Sequence, residues 1–424
     1  MAKKIYAKGR KKLKKYPEDL MWLEARWARL ANEWIISMCR EFSKMGLTQI
    51  SGGLERQVMF GKKKKSRATA TFKDRVDHFW KWYSAVAGDY YDAIEAGNCG
   101  DLLTEISIKV NEMWSDFAWV FGPGPEEKGG HSFTISGEGL LSRQLLAEYC
   151  VSRAPELPGW TFYSSRQPGA VSADVSIGMG EVSFDFGGLW VTPKLDEENE
   201  FIHLTAWHPA FETAEEGQGN TALFIMLDEV LGEHGTDQWL GEINTSDTEL
   251  AGAIPVLELR DYLHDLEVER GWKKYPPSET YSVYQMDGPD DRFLRSDTMT
   301  GSSCYLDLIG NYLDEEGPLQ TDPIAESGAE FVFISYPEAT APAGSEANFR
   351  GEIEDALEIE FDNSSTGRLI GGALGIDNSY IDAVIFDGEN SMAAITKVLR
   401  DRQLPSGTCV NFFVAGNDGR RVVL

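Results

Sequence analysis

Chemistry needs particular side chains at particular spacings, and a few stretches of this 424-residue sequence offer them. Thr300-Gly301-Ser302-Ser303-Cys304 runs into an expected helix over 303–313. Unpaired backbone N–H groups at a helix N-terminus favour anions and lower a thiol pKa, which makes Cys304 the candidate nucleophile. A catalytic thiol also needs a base at hydrogen-bond distance, and spacing places neither His234 nor His264 beside it. The competing reading is a small buried cysteine behind a serine N-cap. His203, His208 and Glu212 have the residue types of a metal site. On a strand, however, residues five apart point to opposite faces, and Pro209 breaks the element, so no metal is expected there. His264 with Asp261 or Asp265 reads as an exposed helical polar pair. Gly371-Gly372-Ala373-Leu374-Gly375 lacks the Gly-Lys-Ser/Thr ending of a phosphate loop and the setting of a dinucleotide site. Glycines there mark a bulge or a close approach of backbone. No motif calls for a cofactor.

Charge is more informative than any single motif. The chain carries a net charge of −28, but residues 1–100 hold 21 Lys+Arg against 11 Asp+Glu, a net of +10, which leaves −38 on residues 101–424. The basic tail at 1–15 and the run Lys62, Lys63, Lys64, Lys65 and Arg67 can neutralise phosphates and release counterions. No stacking aromatics or recognition helix accompany them, so docking on nucleic acid or an anionic assembly stands as an alternative. The acidic clusters at 196–200, 212–216, 287–291, 314–316 and 352–362 repel nucleic acid and membranes and suit a cationic protein partner. A nuclease inhibitor presents its carboxylates in this way. Glycosidase carboxylates cannot be picked from so many.

Length and hydrophobic period supply the elements that must hold these groups. At this length one core does not suffice. No apolar run approaches the roughly 18 residues of a membrane span, and the lysine-rich start lacks a secretory apolar core, so a cytoplasmic location without membrane contact is expected. Five scattered cysteines with no C-x-x-C pair predict reduced thiols. Apolar residues at three- and four-residue steps predict helices over 17–46, 72–96 and 101–121, with Thr71 and Asp74 as a capping box for the second. From His131 the period changes to a β-α-β-β-β-α-β order, and from Glu330 to β-α-β-β-α-β, the ferredoxin-like order.

Ala154-Pro155-Glu156-Leu157-Pro158-Gly159-Trp160, Leu227-Asp228-Glu229-Val230-Leu231-Gly232-Glu233, Tyr284-Gln285-Met286 with Arg295 to Cys304, and Gly371 to Gly375 with Tyr380-Ile381-Asp382 are phrases that resemble those of uncharacterised bacterial cytosolic multidomain proteins. The resemblance covers about residues 105–424. It implies a soluble multidomain chain and brings no activity or catalytic residue.

The expected fold is α+β, an N-terminal helical bundle followed by two ferredoxin-like α/β sandwich units. The divisions are a basic disordered tail at 1–16, a helical bundle with a basic loop at 17–125, a first α+β unit at 126–250, a linker segment with helix and strand at 251–325, and a C-terminal ferredoxin-like unit at 326–424. The expected function is non-catalytic binding of a cationic protein through the acidic body, an immunity-like role being one concrete form of it, with a Cys304 enzyme as the alternative.

Overall fold

A computed structural model describes residues 70–215 and 217–424. The tail at 1–16, the expected helix at 17–46 and the run Lys62, Lys63, Lys64, Lys65 and Arg67 lie outside the described residues. The described chain is mixed α+β, 41% helix and 25% strand, with several small sheets.

Helix α1 (Phe72–Glu95) begins at Thr71, whose Oγ1 accepts from the Asp74 N–H at 3.2 Å, as the Thr71/Asp74 pattern predicts. Phe72, Val76, Phe79, Trp80, Tyr83, Ala87 and Tyr90 form its buried stripe. Helix α2 (Leu103–Met113) is shorter than its apolar stripe predicts. The stripe runs on to Phe121, but Ala118–Pro123 is a strand, β1. Trp119, Val120 and Phe121 are aromatic and β-branched, and each gains a cross-strand partner on β2 (His131–Ser136), Phe121 opposite Phe133 among them. Helix α3 (Leu141–Ser152) then returns the chain to β3 (Trp160–Tyr163), which lies parallel to β2.

The turn-rich connection 164–175 leads to a second group of elements. These are β4 (Ser176–Met179), β5 (Val182–Asp185), β6 (Trp190–Asp196), β7 (Phe201–Trp207), α4 (Gln218–Leu231), α5 (Glu233–Trp239), β8 (Leu240–Thr245), β9 (Ile254–Pro255) and α6 (Leu259–Arg270). Four strands pair in the order β8-β7-β6-β9. Phe184, Val191, Leu204, Leu227 and Leu263 belong to the core of this group. Residues 126–250, expected as one unit, therefore contribute to two cores, because side chains of β2, α3 and β3 pack with α1 instead.

The last part of the chain builds β10 (Ser282–Gln285), β11 (Thr298–Ser303), α7 (Leu306–Asp314), β12 (Glu330–Pro337), α8 (Glu346–Ser364), β13 (Gly367–Gly375), β14 (Asn378–Ile385), α9 (Gly388–Asp401), β15 (Cys409–Phe412) and β16 (Val422–Val423). They form one sheet in the order β10-β11-β13-β14-β12-β15-β16, antiparallel throughout. The segment 251–325, expected as a linker, thus adds two strands to that sheet. Strands β12 and β14 are buried on both faces, which is why they read as unbroken apolar runs. Val332, Ile334, Ile381, Ala383 and Ile385 meet α8 and α9. Phe331, Phe333, Tyr380, Val384 and Phe386 join the core that α1 and α3 also enter. The Tyr149 ring of α3 stacks on Phe386 at 3.8 Å, and Phe72 of α1 lies 6.0 Å from the same ring.

Beneath that face sits a buried ion pair. Arg295 and Asp382 are both 0% exposed and bonded to each other. The guanidinium lies 4.8 to 5.4 Å from the rings of Phe333, Tyr380 and Phe413. Removing one partner leaves an uncompensated buried charge, so Asp382→Ala should cost about 3–5 kcal/mol in chemical denaturation. The double variant Arg295→Met/Asp382→Leu should recover most of that loss.

Candidate functional site

Where the second group of elements meets the rest of the chain, polar side chains from several elements converge. Gly232 ends α4 at φ +79, and a Cβ there would press on Pro168 and on the Arg166 carbonyl at 3.0 Å. That close approach delivers Glu233, the first residue of α5, into the junction. Its carboxylate is buried and accepts from Ser136 Oγ at 2.7 Å, Gly139 N at 2.9 Å and Arg166 N at 3.1 Å. Three donors offset the loss of water that burial imposes. The Arg166 guanidinium bonds Glu138 at 2.8 Å and faces Asp228 at 3.6 Å. From α3, Gln144 donates to Asp237 at 3.2 Å, while Glu148 accepts from the Ser278 N–H and hydroxyl and pairs with Arg368 of β13 at 3.0 Å.

Burial raises the acids of α4, to about 7 for Asp228 and about 7 for Glu229, with Arg166 pulling both the other way. His234 is held below its ordinary value by burial, and its Nε2 is buried without a hydrogen-bond partner among the described residues. The seam therefore combines a cation with carboxylates that titrate near neutrality. It draws residues from β2, α3, α4, α5 and β13, elements that enter different cores.

Cys304 follows β11 and precedes α7, but its thiol faces inward. Its N–H donates to the Ile370 carbonyl at 2.9 Å. Burial, reinforced by the Glu148 carboxylate, pushes the thiol up to about 12, the opposite of an activated nucleophile. His264 is exposed on α6 and faces Glu267 at 3.9 Å. His203 accepts from the Glu242 N–H at 2.8 Å, and the buried His208 lies against the Asp185 carbonyl and accepts from Ala210 N at 3.0 Å. Each ring nitrogen pair is thus engaged separately, and His203, His208 and Glu212 are not among any group of potential metal ligands in the described residues. Gly371 lies beside a register shift in β13, where a Cβ would meet the Ser302 carbonyl of β11. Strand packing accounts for these glycines.

Glu148, Arg166 and Glu233 were not singled out from sequence. Their one legible sign is Leu227-Asp228-Glu229-Val230-Leu231, where acids interrupt an apolar helical run. The partners lie up to 220 residues apart, and no spacing rule connects them.

The outer surface differs in kind. From residue 70 onward the sequence has 62 Asp+Glu against 22 Lys+Arg, a net of −40. Twelve of those 22 cations are held in ion pairs within the described residues. On α8, Glu352, Asp355, Glu358 and Asp362 are exposed around Ile359, itself 64% exposed. No helix of the described residues is long and apolar enough to cross a membrane.

Comparison with known proteins gave no match to a family model, a curated protein or a solved structure. The functional reading rests on the residues themselves.

Two outcomes follow from this geometry. In native protein at mildly alkaline pH, alkylation mapped by mass spectrometry should modify the half-buried Cys99 while leaving Cys304 unmodified. Rapid labelling of Cys304 at neutral pH would restore the thiol reading. The second outcome concerns pH. Asp228 and Glu229 hold their protons more tightly folded than unfolded, so between the unfolded value near 4 and the folded value of about 7 the native state binds more protons. Stability from these groups is fully present below that window and is lost as pH rises through it. Unfolding free energy from chemical denaturation should fall between pH 5 and pH 8, and Asp228→Asn should reduce that fall by roughly 1–2 kcal/mol.

Proposed function

We propose that this chain is a non-catalytic binding protein of the bacterial cytoplasm, whose acidic body contacts a cationic protein partner. An immunity-like role, in which carboxylates cover a basic cleft, is one concrete form of it. The observation that carries the reading is the imbalance from residue 70 onward, 62 acidic against 22 basic side chains, with most of the basic ones already paired internally. Such a surface keeps a negative field outside the molecule, which speeds and orients encounter with a cation. The exposed face of α8 is the best-formed part of it, since Glu352, Asp355, Glu358 and Asp362 surround an apolar contact point at Ile359.

The C-terminal unit presents this face, and we read it as ferredoxin-like. The order β15-β12-β14-β13, antiparallel, with α8 and α9 on one side, supports that assignment. An enzyme built on Cys304 has less support, because the thiol is buried and its pKa is raised. Docking on nucleic acid would act through the basic residues that lie outside the described ones.

Affinity capture from a bacterial lysate at about 50 mM and about 150 mM salt should recover a basic protein, with less recovered at the higher salt. Reversing charge in the triple variant Glu352→Lys/Asp355→Lys/Glu358→Lys should lower affinity for that protein by about tenfold or more while the melting temperature stays within a few degrees. Capture of no basic partner at either salt concentration sinks the proposal.

A further inference from the structure

A lysine is held among aromatic rings on the second group of elements. Lys274 Nζ lies 4.9 Å from the Phe201 ring centroid, 4.7 Å from Trp239 and 6.0 Å from Trp272. Trp239 and Trp272 are stacked on each other at 6.2 Å. The geometry points to a binding site for an organic ammonium group, formed by Phe201, Trp239 and Trp272, which the chain's own Lys274 occupies as an internal stand-in. This deepens the preceding reading and rests on it only where the ammonium belongs to a partner protein.

Three features carry the inference. Ring faces bear negative charge, and several of them around one point are the arrangement that selects an alkylammonium over a hydrated metal ion. Among the described residues the resident cation donates one hydrogen bond, to the Glu200 carbonyl at 2.6 Å. Burial lowers its pKa, against the pull of Glu200 and Glu267. A quaternary ammonium loses less hydration on entering than Lys274 does, so it can displace the lysine. Finally, Trp239 also walls an adjoining cavity of about 300 Å³, where Leu231 and Leu263 supply apolar surface, Asp261 and Glu267 carboxylates, and Arg260 and His264 the remaining polar lining. A ligand with an ammonium head and a short apolar body has room there. A lysine serving only to brace the loop 271–275 would need no such neighbour.

The test follows the indole N–H resonances of Trp239 and Trp272 in the full chain, assigned through Trp→Phe variants. The titrants are tetramethylammonium chloride and a neutral peptide carrying either lysine or trimethyllysine, each compared with sodium chloride at matched ionic strength. Saturable shifts confined to these indoles are expected, and Lys274→Gln should tighten tetramethylammonium binding by about tenfold. Shifts with the peptides assign the ammonium to a partner's side chain, and shifts with tetramethylammonium alone assign it to a small molecule. Both support the site. Should Lys274→Gln fail to fold, Trp272→Ala serves instead and should abolish the shift at Trp239. Absence of saturable shifts beyond those of sodium chloride, in wild type and variant alike, overturns the inference. If such shifts are absent while a basic protein still binds the chain, the acidic-surface reading stands without the site.

Discussion

The Arg295–Asp382 pair is the constraint on which the C-terminal sheet depends. Two charges with no exposure to water cost several kcal/mol each to bury, and only close mutual contact and full surroundings offset that cost. Here the surroundings are the rings of Phe333, Tyr380 and Phe413 and the Tyr284 hydroxyl. Arg295 also adopts φ +81, which an L-residue tolerates only when its neighbours hold it there, and its N–H donates to the Tyr380 hydroxyl at 3.0 Å. Two residues on, Asp297 accepts from the Asp377 and Asn378 N–H groups at 3.0 and 2.9 Å, closing the turn between β13 and β14. Arg295 and Asp297 thereby pin the segment before β11 to the hairpin it must pair with. Once β11 is registered against β13, Cys304 is carried under the sheet and out of solvent, so the burial of the best chemical candidate goes with an arginine nine residues upstream.

Some of this was legible in the sequence and some was not, for definite reasons. Strand β7 and the element order from Glu330 onward were readable because β-branched and aromatic residues cluster there between clear turn residues. The start of α1 was readable because its cap is local. Strand β11 was not: Thr298-Met299-Thr300-Gly301-Ser302-Ser303 has no apolar alternation, and it becomes a strand where Gly371 of β13 and its own Gly301 let the two backbones close in. Helix α2 was overextended because Phe117 and Phe121 continue a helical period, while the structure uses Phe121 on a strand. The polar seam was illegible for a different reason. Glu148 meets Ser278 130 residues away, and Glu233 meets Ser136 97 residues away, so only the folded chain reveals that these carboxylates have partners.

The division of the first α+β unit between two cores has the same origin. Period and turn residues report on a strand's own faces, but not on which neighbour covers them. Phe133 of β2 stacks against Phe79 and Tyr83 of α1, and Tyr149 of α3 against Phe386, so the early elements are completed by each other and by the C-terminal sheet. The elements after Pro168 are left to build their own core, and the seam around Glu233 and Arg166 is what attaches it. A junction made of charges is less tolerant of pH than one made of rings, so pH acts on this contact more than on the aromatic ones.

The use of cations inside the molecule explains the character of its outside. Arg166, Arg295 and Arg368 are committed to interior carboxylates, Arg75 and Arg260 brace carbonyl oxygens, and Lys274 lies among rings. On α8 the single arginine, Arg350, turns inward to Glu354 at 3.0 Å, and the neighbouring Lys397 of α9 engages Glu360 at 2.6 Å. The outward face of that helix is left with carboxylates alone. An arriving cation there displaces no internal partner, whereas one approaching the seam would have to break pairs that hold the fold. The interior pairs are thus what keep the outward face of that helix free of cations of its own.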